Sequence, residues 1–420
     1  MSDSGRGEPR VKALALVDTD SYVKWGAALL AQLPAEWSRE IAVVATPGAP
    51  SASQLSAALA GSGFDGASRQ FTLDALHERV LLERPDVIIV AMRGPAASVV
   101  LRVLSAVPNR PVFVSGLPGI SIPATWKALF YRSQADLMVL HSKREIREFA
   151  VVAGKRGWTH RLVLATLPFI ERRPAAGGGD IVFAVQSIVP LLRPERERVL
   201  DILIDTARRN PDHRVVIKVR AVTGEQQTHD EEHSYPDLLA QRSSAPHNLV
   251  VASGPMSAAL DGALGFVTVS STASIEAIAR DVPLVVLDEF GVSDELINPV
   301  FLGSGLFGDG EAVASLSFSR PDPGWLDDNY FHGAEDDDWM RALDELLEQR
   351  ASGPLPHRPS LRGTIGGLLR RAWERKQAFG EHDRSALGAV ALVVGTPART
   401  AVLAVRRLSR GRPHTWVSKN

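Results

Sequence analysis

The feature that most constrains the fold of this chain is a rhythm. Short runs of Val, Ile, Leu and Ala are each followed by a longer amphipathic stretch, over and over. The first series of runs is Val11–Val17, Glu40–Thr46, Asp86–Met92, Pro111–Ser115 and Asp136–His141. Between the first two, apolar residues recur at helical spacing at Val23, Ala27, Leu30 and Leu33, which predicts a helix over Tyr22–Leu33. Further helices are expected at Ser53–Ala60, Leu73–Glu83, Ala96–Ala106 and from Ser142 onward. A run such as Asp86–Met92 has no polar residue at alternate positions, so both faces of the strand must be covered. Strands of that kind alternating with helices make a parallel, doubly wound sheet.

The rhythm breaks once, near Phe169–Asp180, where prolines, arginines and the triplet Gly177–Gly179 crowd together, and then restarts. The second series of strands is Ile181–Gln186, Val215–Val219, Asn248–Ala252, Gly265–Val269 and Pro283–Leu287. Its helices are expected at Glu195–Arg209, Tyr235–Arg242, Ala273–Arg280 and Asp337–Arg350. The expected fold class is therefore α/β, with two doubly wound Rossmann-like domains facing a cleft. The boundaries read as 1–170 for the first domain, 171–180 for a linker, 181–360 for the second domain and 361–420 for a basic helical tail. A chain of 420 residues is long enough for two cores of this size.

Composition excludes several function classes. There is no cysteine, which removes disulfide scaffolds, thiolate zinc sites, iron–sulfur clusters and a cysteine nucleophile. The 47 basic and 48 acidic residues leave no cationic surplus for a nucleic-acid partner. The first ten residues are polar and of mixed charge, with no cleavage pattern after them. The charge-free stretch Ser385–Ala398 falls short of the roughly 20 residues a spanning helix needs. The expected location is the cytoplasm. No Walker loop, no Gly-x-Gly-x-x-Gly at the first helix and no Gly-x-Ser-x-Gly elbow is present.

In doubly wound sheets ligands bind at the carboxyl ends of the strands, so candidate residues are sought there. The densest signal is Ser270-Ser271-Thr272 running into a helix that carries Glu276. Hydroxyls and free N–H groups at such a point suit phosphate oxygens, and Glu276 is placed to accept from a ribose or base. The alternative is that Ser271 or Thr272 is a helix cap and Glu276 a first-turn acid. After the strand Val215–Val219, Lys218 and Arg220 alternate and suit a diphosphate or a sugar carboxylate. The following His229 and His233, with Glu231 and Glu232, read better as a solvated loop than as a metal site. The acidic runs Asp327–Asp328 and Glu335–Asp338 read as a solvated helix start. No metal and no cofactor is expected.

In the first series, Asp18-Thr19-Asp20-Ser21 closes the first strand. Asp20 is the preferred candidate for a base that deprotonates an acceptor hydroxyl, with Asp18 next, and capping by Asp20 or Ser21 is the alternative. Lys24 and Trp25 would line the same wall, Trp25 as a stacking surface for a sugar ring. Arg93, after the strand Asp86–Met92, suits an acceptor phosphate or carboxylate. Gly116 and Gly119 form a turn that lets a ligand approach the backbone, or a plain turn.

The Ser270–Ala277 segment, followed by the strand Val282–Leu287, resembles the nucleotide-binding half of GT-B glycosyltransferases. It is most similar to bacterial capsule-type transferases that use CMP-activated ulosonic acids. Little-characterised actinobacterial glycosyltransferases share the segment Asp18–Trp25. Where the capsule enzymes carry a His-Pro pair after the second strand of this half, the present chain has Val219-Arg220-Ala221. The resemblance implies transfer from a nucleotide-sugar donor on the C-terminal domain to a cell-surface glycan or glycolipid acceptor on the N-terminal one. The expected reaction is metal-independent and inverting. The rival readings are a sugar-nucleotide 2-epimerase of the same fold and a non-catalytic two-lobed binding protein. The tail mixes small apolar residues with Arg399, Arg406, Arg407, Arg410 and Arg412, which suits a helix lying on the inner face of a membrane. A helix that crosses back to pack on the N-terminal domain would use the same composition.

Overall fold

A computed structural model describes residues 11–64, 69–168, 170, 172–219, 233–361, 367–393 and 395. Among the described residues thirteen strands form two sheets. The first contains β1 (Lys12–Val17), β2 (Ser38–Val44), β3 (Arg69–Phe71), β4 (Val87–Ala91), β5 (Val112–Gly116), β6 (Leu137–Leu140) and β7 (Leu162–Leu164), in the order β3-β2-β1-β4-β5-β6-β7. The second contains β8 (Asp180–Ala184), β9 (Val215–Lys218), β10 (Leu249–Ala252), β11 (Ala263–Thr268), β12 (Leu284–Leu287) and β13 (Phe307–Gly308), in the order β10-β9-β8-β11-β12-β13. Every strand pairing in both sheets is parallel. All ten strands expected from the apolar runs are present. β3, β7 and β13, of two or three residues at or near the sheet edges, are too short to leave a periodic trace.

Side chains alternate between two cores in each half, as a period of two requires. On one face of the first sheet Ala15, Val17, Ile41, Val43, Ile89 and Val114 meet the helix Asp20–Ala31. On the other, Leu14, Leu16, Val44, Ile88, Val90 and Phe113 meet the helices Leu73–Glu83 and Gly94–Leu104. The second sheet repeats the plan, with Phe183, Ile217 and Val267 against Arg193–Arg209 and Val182, Phe266 and Leu284 against Ala273–Ala279.

The sequence places the helix Trp339–Ser352 with the C-terminal half, but it packs on the first sheet. Trp339, Ala342 and Leu343 are buried in the same core as β1 and β4. The next helix, Gly367–Phe379, takes the opposite face of that sheet, with Ala378 and Phe379 in its core and Arg102 donating to Glu374 at 3.0 Å. The chain thus crosses back after the second sheet and clasps the first from both sides.

The acidic runs make this crossing. The second is a helix start as expected, with Asp338 in the capping position of the helix Trp339–Ser352 and Asp327, Glu335 and Asp336 exposed, but its acids also hold partners on the first half. Lys143 bridges Asp327 and Asp336, Arg147 pairs with Asp328, and Asp338 accepts from the Leu164 N–H at 2.7 Å. Asp337 accepts from the Thr166 N–H and from His332 Nε2, both at 2.9 Å. Among the described residues no helix is long and apolar enough to cross a membrane. Trp339→Ala should cost about 3–5 kcal/mol, because a fully packed indole leaves a cavity between helix and sheet. Urea unfolding checks this, and a loss below about 1 kcal/mol would contradict the clasp.

Candidate functional site

Parallel pairing puts all carboxyl ends of a sheet on one edge, and the strand order reverses direction between β1 and β4 and between β8 and β11. A crevice opens outside each reversal. In the first crevice Asp18, just past β1, reaches Arg93, just past β4. The Arg93 N–H donates to Asp18 Oδ1 at 3.1 Å and its Nε to Oδ2 at 3.4 Å. Asp18 is fully buried. Burial pushes its carboxyl up to about 6, against the pull of Arg93 and of Arg132 farther in. Arg132 is buried too and donates to Tyr22 Oη, Ser115 Oγ and the Met92 carbonyl. A carboxylate so enclosed orients a guanidinium; it has no open face for an acceptor hydroxyl. The Arg93 side chain remains 37% exposed and lies over the turn after β2, where a Cβ on Gly48 would come within 2.5 Å of it.

Asp20 opens the helix Asp20–Ala31, and the residue in the capping position is Thr19, so neither Asp20 nor Ser21 is the cap. Asp20 is half-buried, and its carboxylate has no hydrogen-bond partner among the described residues. Lys24, one turn later on the same face, is exposed. Trp25 is not a wall for a sugar ring. It is fully buried, and its Nε1–H donates to His141 Nε2 at 2.7 Å while His141 Nδ1 bonds to the Ala165 carbonyl at 2.8 Å. Its phase on the helix is one residue past Lys24, which turns the indole onto the sheet. Burial pushes His141 down to about 4, so the ring is neutral and can accept from the indole. Gly116 is the last residue of β5, and its missing side chain makes room for that indole: a Cβ there would meet Trp25 at 2.5 Å.

In the second crevice Gln186, past β8, reaches Ser270, past β11. Gln186 Oε1 accepts from the Ser270 N–H at 3.0 Å and from Ser270 Oγ at 3.2 Å. The Ser270 proton is therefore committed within the protein. Ser271 is also buried; its N–H donates to Thr268 Oγ1 at 2.9 Å, and its Oγ accepts from the Ala273 N–H at 3.3 Å. Both serines shape the loop, and Ser271 keeps a hydroxyl proton to donate. Thr272 and Glu276 are half-buried at the surface of this crevice.

Lys218, at the end of β9, is 4% exposed. Its ammonium donates to the carbonyls of Val219 at 3.0 Å and Gly254 at 2.6 Å. Among the described residues no carboxylate lies within ion-pair distance of it. Burial pushes its pKa down, Lys24 adds to that, and Glu276 opposes it. Arg220, Glu225, His229, Glu231 and Glu232 lie outside the described residues. Among those described, no group of three or more His, Asp or Glu side chains is arranged to hold a metal.

The two crevices face each other. A Cβ on Gly119, in the loop after β5, would come within 3.0 Å of Thr272 Oγ1, so glycine here lets the halves meet. Lys24 of one half acts on Lys218 of the other. Ile122, two residues past the first loop's turn, is buried in the second half's core beside Leu167. Close by, Tyr330 Oη donates to the buried Glu145 at 2.6 Å. A separate depression of about 440 Å³ between the helices Lys143–Gly154 and Pro323–Asp328 includes Arg144, Arg147, Trp325 and Asp328 in its lining. Its charges are spent on one another, with Arg147 bidentate on Asp328 at 2.7 Å. It contains none of the crevice residues.

Sequence reasoning brought Asp18, Asp20, Lys24, Arg93, Lys218 and Ser270–Glu276 to the two facing edges. It missed Gln186, whose only signal is an amide closing the apolar strand Ile181–Gln186, and Arg132, which follows a helix of six residues with no clear period.

The raised Asp18 carboxyl has a thermodynamic signature. The folded state holds the proton more tightly than the unfolded chain, so the contribution of Asp18 to stability is greatest below about pH 4 and is lost as pH rises through about 6. Relative to Asp18→Asn, the wild type should lose at most about 3 kcal/mol across that window. Urea unfolding at intervals of pH measures the difference, and a flat difference would contradict the buried carboxyl.

The comparisons with known proteins agree with this architecture. The profile of a family described as "Putative glycosyltransferase (DUF6716)" matches residues 13–346. No curated protein matches the chain. Among solved structures, the chain is similar to a Listeria monocytogenes protein described as "putative UDP-N-acetylglucosamine 2-epimerase". The identity is 12%, with 81% of this chain and 96% of the other covered and a TM-score of 0.51. It is equally similar to S. aureus MnaA, solved with UDP, at 12% identity, 84% and 100% coverage and a TM-score of 0.51. These likenesses show a common fold of two Rossmann-like halves. The family profile spans both sheets and most of the chain, and the chain belongs to this glycosyltransferase family.

Proposed function

We propose that the protein transfers a sugar from a nucleotide-sugar donor, held in the β8/β11 crevice, to an acceptor hydroxyl presented at the β1/β4 crevice. The observation that carries this reading is Lys218, a buried ammonium with no described carboxylate within ion-pair distance, at a strand end that faces the other half. A buried cation without a counter-ion is costly, and a bound phosphate removes the cost. Lys24 approaches from the opposite wall, so a diphosphate between them would be held by both halves. Ser271, Thr272 and Glu276 line the same crevice and serve the rest of the nucleotide, and Arg220 follows Lys218 in sequence. S. aureus MnaA, of the same fold, was solved with UDP. The resemblance of Ser270–Ala277 points instead to a CMP-activated ulosonic acid, and the base is therefore the first thing to measure.

Asp20 is the base in this reading. It shares a helix face with Lys24, its carboxylate is uncommitted among the described residues, and it stands at the mouth of the crevice. Asp18 holds Arg93, and Arg93 presents its guanidinium to an anionic group of the acceptor. Such a transfer inverts the anomeric centre and draws on protein side chains alone.

Two variants separate binding from turnover. Lys218→Ala should weaken UDP or CMP binding by roughly tenfold or more in calorimetry, the scale of one charge-assisted hydrogen bond. Asp20→Asn should cut kcat by about 10² to 10⁴ with donor affinity nearly unchanged. Unchanged affinity in the first or unchanged kcat in the second would remove that residue from its role. The second reading is an epimerase, the description carried by the Listeria monocytogenes neighbour of the same fold. Conversion of a nucleotide sugar to its 2-epimer with no acceptor present would establish it in place of transfer.

A further inference from the structure

After the helix Gly367–Phe379 the chain turns and forms a second helical stretch, residues 386–393. Its inner side is made of small residues. A Cβ on Gly388 would meet Asp383 of the turn at 2.6 Å, and one on Gly395 would meet the Trp373 ring of the first helix at 2.5 Å, so the second stretch folds back on the first as a hairpin. The outer side is apolar throughout. Leu387, Val390 and Val393, spaced three apart, are 46%, 54% and 74% exposed, and Ala386 and Ala389 are exposed beside them. A solvent-facing helix carries polar residues there. At the start of the hairpin's first helix Leu368 is 71% exposed, next to the exposed Arg370 and Arg371.

Charge identifies the occupant of this face. Asp383 is the last acidic residue in the chain, whereas Arg384, Arg399, Arg406, Arg407, Arg410 and Arg412 all follow it. All but Arg384 lie outside the described residues; the exposed Arg371 and Arg384 already stand on the hairpin, and a second copy of the chain would add the same surplus of positive charge, which like charge opposes. An anionic surface with an apolar interior satisfies both the stripe and the arginines. We infer that the hairpin of residues 367–393 docks the protein on an anionic lipid bilayer, with Leu387, Val390 and Val393 entering the headgroup boundary.

The placement gives the docking a purpose that rests on the acceptor side of the proposed function, whereas the docking itself does not. The hairpin is fixed to the first half through Ala378 and Phe379 in its core, and Arg375 reaches Asp74 at 2.7 Å. A Cβ on Gly380, at the hairpin's turn, would meet Pro47 at 2.7 Å, and the adjoining Gly48 underlies Arg93. The docked face therefore adjoins the mouth of the acceptor crevice. An acceptor anchored in the bilayer would arrive at Arg93 and Asp20 without the protein leaving the surface.

Full-length protein is sedimented at low salt with vesicles of phosphatidylcholine alone and of phosphatidylcholine mixed with phosphatidylglycerol. It should pellet with the mixed vesicles and be released by added salt. The combined variant Leu387→Glu, Val390→Glu and Val393→Glu should lower that partitioning at least tenfold with its melting temperature unchanged, because all three side chains already face solvent. Val151→Glu, an exposed apolar position on another helix, should bind as the wild type does. Failure of the full-length chain to pellet with the mixed vesicles overturns the inference. So does equal pelleting of the triple variant, or a dimer seen by light scattering that the triple variant dissolves while vesicle binding is absent.

Discussion

Everything in this molecule that bears on function follows from strands that are parallel and buried on both faces. Such strands require helical crossovers, and the crossovers bring every strand to the same edge with its carboxyl end outward. The reversal of strand order then opens one crevice per sheet, and in both sheets a side chain bridges it. The two bridges differ in chemistry. Asp18 to Arg93 is a charged pair whose carboxylate is buried and whose guanidinium is half in solvent. Gln186 to Ser270 is neutral, and the buried charge of that crevice among the described residues is Lys218, with Glu276 at the surface. One half is built to present a cation to the outside, and the other to hold one inside.

The halves could not cooperate without the structure that fixes them to each other. Gly119 lets one loop touch Thr272, Ile122 enters the opposite core, and Tyr330 donates to the buried Glu145. Burial pushes the Glu145 carboxyl up, while hydrogen bonds from Ser121 and Tyr330 oppose that. The crossing segment adds Asp327, Asp328, Asp336, Asp337 and Asp338, each with a partner on the first half or on the segment itself. Exposed ion pairs contribute little singly. Here they lie in series along one segment, and they deliver Trp339 to the first sheet, where burial of the indole does most of the stabilising.

Much of this was legible in the residues. Apolar runs without polar alternation, set between helical stretches, read as doubly covered strands, and all ten such runs are strands, although the edge strand β10 leaves Val251 41% exposed. Short edge strands left no trace because two or three residues carry no period. The helix at Trp339 was recognised, but its half was not, because an amphipathic face states that it must be covered and not by what. The site was legible to the level of strand ends. Asp18 and Trp25 show the limit: a residue's type and spacing suggested a base and a stacking ring, and tertiary burial made them an anchor and a core side chain. Helical phase at Trp25 could have revealed the second, since Lys24 and Trp25 cannot share a face. Nothing local announces that Asp327–Asp338 is a strap, because its partners are about 170 residues away or more.

The central claim is that a nucleotide binds across the facing crevices, on the β8/β11 side. Hydrogen exchange of the full-length protein with and without UDP, repeated with CMP, locates the ligand directly. The account predicts slowed exchange in peptides that cover Gln186, Lys218 and Ser270–Glu276, with a smaller effect around Asp20–Lys24. Protection confined to the depression that includes Arg144, Arg147 and Trp325, or binding with no protection at the strand ends, would contradict it.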